Sequence, residues 1–239
     1  MTDMVISTSL ITYSVYSLNR LTDLEEDASN LPERVDFIKP KKNIILFLSL
    51  FSYLIALIFG GLKNKNTIPI FLIPFIMGLI YSIKISSFRL KDLFLAKNLT
   101  VSLSWALSAA LLPHVFGGDI GATSMIFIFL FIKCFVNTVV FDVRDIEGDR
   151  KVRANTIPVV VGIEKTMSIL LFMNSLLFVW LFICLKKNLF LDYIPAILFS
   201  IIYAYFYIFL FCRKVSKKIN FDYAVDGEFI ILFLLSKIF

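Results

Sequence analysis

Of the nitrogen and sulfur side chains that most often hold metals, this chain of 239 residues has one histidine and three cysteines. His114 follows Pro113 at the end of an apolar run, which argues against both a histidine-based metal site and a histidine-dependent triad. Cys134, Cys184 and Cys212 stand singly inside apolar runs, without C-x-x-C or metal-ligand spacing. They read as small packing residues. Charge is scarce as well: Asp, Glu, Lys and Arg make up 18% of the sequence, against about 25% in a soluble globular protein. The first residues carry no basic segment and no small-residue cleavage site follows, which argues against a signal peptide. The strict polar–apolar alternation of a membrane barrel is missing too.

Apolar side chains fill the space left by charge. They account for 59% of the residues, 26 of them Phe, and the mean hydropathy is +0.85. They come in blocks, and a bilayer asks for roughly 17–25 apolar residues per helix. The blocks run over 4–18, 44–62, 68–83, 94–116, 122–141, 167–185, 189–212 and 229–239, eight spans of which the first and last are short. The expected fold is an all-α, polytopic transmembrane helical bundle forming one domain over residues 1–239, surrounded by membrane lipids.

Basic residues orient it. Alternate connections between the spans carry eighteen Lys and Arg, at 20–42, 84–97, 144–165 and 213–218. The intervening ones carry four, Lys63, Lys65, Lys186 and Lys187. Basic loops stay in the cytoplasm, so the net charge of +6 is a signature of topology. No aromatic–basic interleaving points to nucleic acid as a partner. The same pattern leaves Met1 outside, on a first span too short to cross comfortably. An upstream apolar segment of about 20 residues is therefore expected.

Two acidic clusters interrupt this apolar chain, "NRLTDLEED" at 19–27 and "DVRDIEGD" at 142–149. Asn19, Asp23 and Asp27 are spaced i, i+4, i+8, and Asp142, Asp145 and Asp149 are spaced i, i+3, i+7. Either spacing lines three oxygen-bearing side chains along one helix face. Glu25, Glu26 and Glu147 point elsewhere. Each cluster ends a span on the basic side and precedes a basic, proline-containing loop, as in a weak internal duplication. Five facing aspartates repel one another unless a cation intervenes. An all-oxygen set without histidine or thiolate suits Mg²⁺, which binds few carboxylates, several waters and substrate phosphates. Between the clusters, "YSIKISSFRLKD" presents Tyr81, Lys84, Arg89 and Lys91, a set fit to hold a diphosphate.

At these residues the chain resembles the UbiA-type intramembrane prenyltransferases, whose hallmarks are N-x-x-x-D-x-x-x-D and D-x-x-D-x-x-x-D on two cytoplasmic helix ends. The segment at 81–92 looks like the family's Tyr/Ser and basic loop, and "NTIPVVVG" at 155–162 like its T-L-P-V-x-x-G segment. The resemblance implies a nine-helix fold, here lacking its first helix, around a cavity open to lipid. It implies transfer of a prenyl group from a polyprenyl diphosphate to a lipid or aromatic acceptor. By position, Asn19, Asp23, Asp27, Asp142, Asp145 and Asp149 would bind Mg²⁺–diphosphate, with Asp23, Asp27, Asp142 and Asp145 as the catalytic carboxylates. Lys84, Arg89, Lys91 and Tyr81 would bind the diphosphate. Arg20 and Asn155 depart from the family pattern, which has acid and base respectively at those places.

Mg²⁺ and the basic loop would stabilise the departing diphosphate, and aromatic faces the allylic cation left behind. An aromatic quinone precursor is the acceptor expected first, geranylgeranylglyceryl phosphate second. The rival from another class is an ion-coupled transporter. That class carries acids near mid-span, whereas here the span interiors are nearly free of charge, with Lys133 as the one basic residue well inside a long span. The signature of the CDP-alcohol phosphotransferases is absent, and the hydropathy does not suit a soluble prenyl synthase. The orientation is testable with cysteines placed at Ser29 and Ser87 in a background stripped of native cysteine. Both should react with an impermeant thiol reagent in inverted vesicles only; labelling confined to right-side-out vesicles would reverse the topology.

Overall fold

The structure is a computed structural model that describes residues 2–24, 28, 32–82, 93–151, 154–213 and 221–238. It is all-α, as expected, and no strand forms among the described residues. In chain order the helices are α1 (Thr2–Thr22), α2 (Pro32–Ile38), α3 (Lys42–Lys63), α4 (Thr67–Ser82), α5 (Ala96–Val115), α6 (Ile120–Lys151), α7 (Ile157–Val161), α8 (Ile163–Lys186), α9 (Ile194–Cys212), α10 (Phe221–Val225) and α11 (Gly227–Leu235). Each of the eight expected spans falls on one of them.

Two segments expected as loops contain helix. Pro32 opens α2, which runs through a 3₁₀ turn at Lys39–Lys41 into α3, and Pro158 sits in the first turn of α7. Proline's missing N–H is harmless in a first turn, and its fixed φ suits a helix start. Gly162, at φ +82°, then separates α7 from α8 in a conformation glycine adopts without strain.

Four stretches are long and apolar enough to cross a membrane unaided: Pro32–Lys63, Ile120–Lys151, Ile163–Lys186 and Leu191–Cys212. Helix α4 is equally apolar but shorter. Helices α1 and α5 are more polar for a local reason. Their hydroxyls fold back onto carbonyls one turn earlier, as Ser7, Thr8, Ser9 and Thr12 do on α1 and Ser102 and Ser108 on α5. A hydroxyl satisfied this way can be buried at little cost. Phe47, Phe172, Phe182 and Phe206 point outward, and such phenyl groups suit lipid.

The helices pack in two groups. In the N-terminal half α1 lies along α3 and α4 over a core of Ile11, Val15, Tyr53, Ala56 and Phe71. The Tyr53 hydroxyl donates to the Phe71 carbonyl at 2.9 Å. Gly60 lets α3 and α4 touch, since a Cβ there would lie 2.4 Å from the Phe71 ring. In the C-terminal half α6 is the central post. It packs on α8 and α9 through Val136, Val139, Val140, Leu170, Leu177 and Ile201, all without exposed surface. Helix α5 spans the two halves, meeting α4 on one side and α6 along its length on the other.

One polar contact lies deep in this core. Lys133 of α6 and Glu228 of α11 form an ion pair with 0% and 1% of their side chains exposed. Ser200 Oγ and Tyr207 OH of α9 donate to the two Glu228 oxygens, and Lys133 Nζ donates to the Ser200 carbonyl at 3.1 Å. Lys133 therefore has a partner that the sequence reading placed outside the last span. Removing one member of such a pair strands a charge, at about 3–5 kcal/mol, whereas removing both is much milder. Lys133→Met and Glu228→Gln should each lower the thermal midpoint in detergent sharply, and the double variant should recover most of the loss. Equal losses in all three would show that the pairing is not what holds α11.

Candidate functional site

A cavity of about 290 Å³ opens between the two halves. Helix α1 contributes Asn19 and Arg20 to its wall, with Asp23 just beyond the helix end. From α5 come Lys97 and Trp105, and from α6 Asn137, Phe141 and Arg144. Asp222 of α10 and Asp226, between α10 and α11, close the side. Trp105 stacks on Tyr16 with ring centroids 5.9 Å apart, so one face of the cavity is aromatic.

The two acidic clusters reach this cavity differently. Helix α1 ends as the first begins: Asp23 N still bonds the Asn19 carbonyl at 3.0 Å, which brings both side chains to the wall. Asp27, Glu25 and Glu26 lie outside the described residues. The second cluster stays helical to Lys151, as the spacing requires. Asp142 and Asp149 are buried and Asp145 partly so, while Glu147 is exposed. None of these three aspartates lines the cavity directly. Lys97 Nζ donates to Asp142 Oδ1 at 2.6 Å, and Asn98 Nδ2 to its Oδ2 at 2.7 Å. Arg144 grips both oxygens of Asp145, at 2.7 and 2.8 Å. Two of the three carboxylates thus sit behind cations that do line the wall. Asp149 is different: its Oδ2 is buried and makes no hydrogen bond of full geometry among the described residues, although the Thr156 hydroxyl is near enough to act on the carboxylate.

That orphaned oxygen is what a metal site would leave behind. Among the described residues no three acidic, His or Cys side chains converge to hold an ion by themselves. Mg²⁺ does not ask for that, since it keeps waters and shares phosphate oxygens with one or two carboxylates. By the chemistry of their donors, Asp149 on α6 and Asn19 and Asp23 at the cavity wall suit it, all three offering oxygen only. Lys84, Arg89 and Lys91, and the side chain of Tyr81, lie outside the described residues.

Several wall residues went unnoticed in the sequence. Asp222 accepts from Arg34 Nη2 at 3.3 Å and from Arg144 Nη1 at 2.5 Å, joining α2 and α6 through α10. Asn137 Nδ2 donates to Asp226 at 3.2 Å. Burial pushes the Asp226 carboxyl above its ordinary pKa, against the opposing pull of Asn137 and of the positive Arg144 and Arg20. The Arg144 guanidinium also lies 4.8 Å from the Phe141 ring and 5.3 Å from that of Phe221. The signal was available: "FDYAVDGE" at 221–228 places three acids before the last apolar run, as the two recognised clusters place theirs after one.

The chain matches the UbiA prenyltransferase family over residues 2–234, and it belongs to that family. With its four long apolar helices it is an integral membrane protein. Among curated proteins, the digeranylgeranylglyceryl phosphate synthase of Methanosphaera stadtmanae is 26% identical over 170 residues, 69% of this chain and 59% of the relative. Its Pyrococcus furiosus counterpart is 28% identical over 189 residues, 77% of this chain and 65% of the relative. That of Sulfolobus acidocaldarius is 32% identical over 161 residues, 66% and 56%. The matches thus span less than two thirds of these relatives' length. Among solved structures, a UbiA homolog from Archaeoglobus fulgidus bound to GPP and Mg²⁺ superposes with a TM-score of 0.72 at 14% identity, covering 99% of this chain and 84% of the other. A structure of digeranylgeranylglyceryl phosphate synthase in membranes gives 0.59 at 16% identity, over 98% and 84%. At these identities the superpositions speak for the fold.

The burial pattern separates Glu147 from its neighbours. Glu147→Ala should leave stability within about 0.5 kcal/mol, as for ordinary surface changes, and prenyl transfer intact. Asp145→Ala should abolish turnover, because it removes the carboxylate that Arg144 grips through two nitrogens. Comparable damage from both would overturn the assignment of faces.

Proposed function

We propose that this chain transfers a polyprenyl group from a polyprenyl diphosphate to a glycerophosphate ether lipid of the geranylgeranylglyceryl phosphate type. The observation that carries the donor half is the cavity, where the ends of α1, α5 and α6 bring Asn19, Asp23, Lys97 and Arg144 to one wall. The acceptor half is supported by the relatives, all three of which bear the name digeranylgeranylglyceryl phosphate synthase. They favour the phospholipid precursor over the aromatic quinone precursor that the sequence alone put first.

In this reading Asp149, Asp145, Asp23, Asp27 and Asn19 would hold Mg²⁺. Asp142, whose oxygens accept from Lys97 and Asn98 as those of Asp145 accept from Arg144, would complete the set. Bound Mg²⁺ supplies neutralisation of the negative charge that grows on the diphosphate as it leaves. Arg144 keeps Asp145 in place and turns its remaining charge toward the cavity. Tyr81, Lys84, Arg89 and Lys91 would grip the diphosphate. Tyr16 and Trp105 offer π-faces beside the path of the prenyl chain and exclude water from the reacting carbon. The concentration of basic residues in alternate connections supports a site at the cytoplasmic face.

The test is to incubate membranes containing the protein with radiolabelled geranyl, farnesyl and geranylgeranyl diphosphates and with glycerophosphate-ether, hydroxybenzoate and naphthoate acceptors. Product masses identify the pair. A digeranylgeranylglyceryl phosphate product that disappears in EDTA and returns with Mg²⁺ is expected. A prenylated aromatic product would replace the acceptor half, and full turnover in EDTA would remove the metal.

A further inference from the structure

Asp226 lines the cavity at a deeper level than the acidic cluster that ends α1. It accepts a hydrogen bond from Asn137 Nδ2 at 3.2 Å and acts electrostatically on Tyr16. Asn137 stands two helical turns, about 10 Å, inward of Arg144, and Tyr16 as far inward of Asp23. Asp226 is an exposed residue, so a molecule entering the cavity reaches it. The protein ringed around it still raises the carboxyl above its ordinary pKa, through burial first and then the charge of Asp222, against Asn137, Arg144 and Arg20. A carboxylate raised in this way holds a proton more firmly.

Arg20 follows Tyr16 by one turn of α1, on the same face, and is exposed at the same cavity wall. Its guanidinium and the Asp226 carboxylate act on each other, yet among the described residues neither belongs to an ion pair. Opposite charges that face without touching leave room for a molecule that brings both an anion and a proton donor. A glycerophosphate ether is such a molecule. One glycerol oxygen carries the prenyl ether, another the phosphate, and the last is the hydroxyl that a further prenyl group would take. Its phosphate enters a cavity that also receives a diphosphate, so it needs a cation of its own. A guanidinium meets phosphate oxygens in pairs.

We infer that Asp226 is the general base that takes the acceptor's hydroxyl proton, and that Arg20 holds the acceptor's phosphate. The inference rests on the prenyl-transfer reading of the cavity with a glycerophosphate ether as acceptor. In the step, the C1–O bond of the donor breaks and its electron pair leaves on the diphosphate. The acceptor oxygen forms the new bond to C1, and its proton passes to an Asp226 oxygen. Product release returns that proton to water. Without a base the new ether would keep the proton as an oxonium, in a site from which water is excluded. Asn137 is a positioning residue: its amide holds Asp226 Oδ1, and Oδ2 accepts no hydrogen bond among the described residues.

The two halves of the reaction are separable on the full-length protein in detergent. Geranylgeranyl diphosphate labelled with ¹⁸O at the bridging position is supplied with a deoxy acceptor that lacks the hydroxyl. Scrambling of the label into non-bridging oxygens of the recovered donor reports cleavage of the C1–O bond. Ether formation with the complete acceptor reports the proton transfer as well. Asp226→Asn should slow ether formation by about 10²–10⁴, the usual worth of a general base, while scrambling continues at the native rate. Arg20→Met should raise the acceptor KM about tenfold or more without lowering kcat, the loss of a charge-assisted contact, and Arg20→Lys should recover part of it. Ether formation at the native rate in Asp226→Asn overturns the inference. So does parallel loss of scrambling and ether formation in a monodisperse variant, which would put Asp226 on the donor's side. Where Asp226→Asn aggregates, Asp226→Ala with added formate takes its place: a formate-dependent return of ether formation supports the base, and no return removes it. An unchanged acceptor KM in Arg20→Met takes Arg20 off the phosphate. Native protein that scrambles the label yet forms no ether would instead sink the glycerophosphate acceptor, and native protein that does neither would sink the prenyl-diphosphate reading itself.

Discussion

A charged group without exposed surface needs a partner of opposite sign, and α6 carries two such groups. Lys133 lies near its middle and Asp142 two and a half turns further on, both at 0% exposure. Neither finds its partner on α6. Glu228 comes from α11 and Lys97 from α5, so the demand for neutrality ties the central helix to a neighbour on either side. The apolar core around Val136, Val139 and Val140 would tolerate several relative positions of these helices. The two ion pairs admit one. Where α5 enters, how deep α11 sits and which side chains reach the cavity all follow from that.

The same logic extends along one face of α6. Lys133, Asn137, Phe141 and Arg144 recur every three or four residues, which sets them in a stripe. They meet Glu228, Asp226, Phe221 and Asp222 in turn. A single short segment, 221–228, thus satisfies the polar half of the stripe and covers its aromatic half. Its cavity-facing members are acidic, and the cations that balance them, Arg34 and Arg144, belong to α2 and α6. The cavity is therefore a mosaic of alternating charge, not a basin of one sign. A diphosphate with its metal is itself such an object.

Much of this was legible in the sequence. Long apolar runs do not depend on tertiary context, so all eight spans became helices. The i, i+3, i+7 spacing of Asp142, Asp145 and Asp149 holds on any helix, and their burial beside an exposed Glu147 follows from phase alone. Other features depended on contacts that spacing cannot encode. Lys133 read as an isolated charge because Glu228 lies almost at the other end of the C-terminal half, at the edge of a short apolar run. Lys97 was one basic residue among the eighteen that set topology, and nothing local marked it as the partner of Asp142. Helix α2 read as a basic, proline-containing loop, yet its proline stands at the first helical position, which proline favours. Spacing reveals which residues share a face; it is silent about what comes to meet that face.

The stacked pair of Tyr16 and Trp105 bears on how a lipid gets in. Parting α11 from α6 would abandon an ammonium and a carboxylate in hydrocarbon, and parting α5 from α6 would do the same at Lys97 and Asp142. Sliding one indole past one phenol, between α1 and α5, parts two ring faces and breaks no ion pair. The bundle has a welded side and a greased one. Sideways movement of helices in the membrane plane therefore costs least at the seam between α1 and α5, where no buried charge loses its counter-ion.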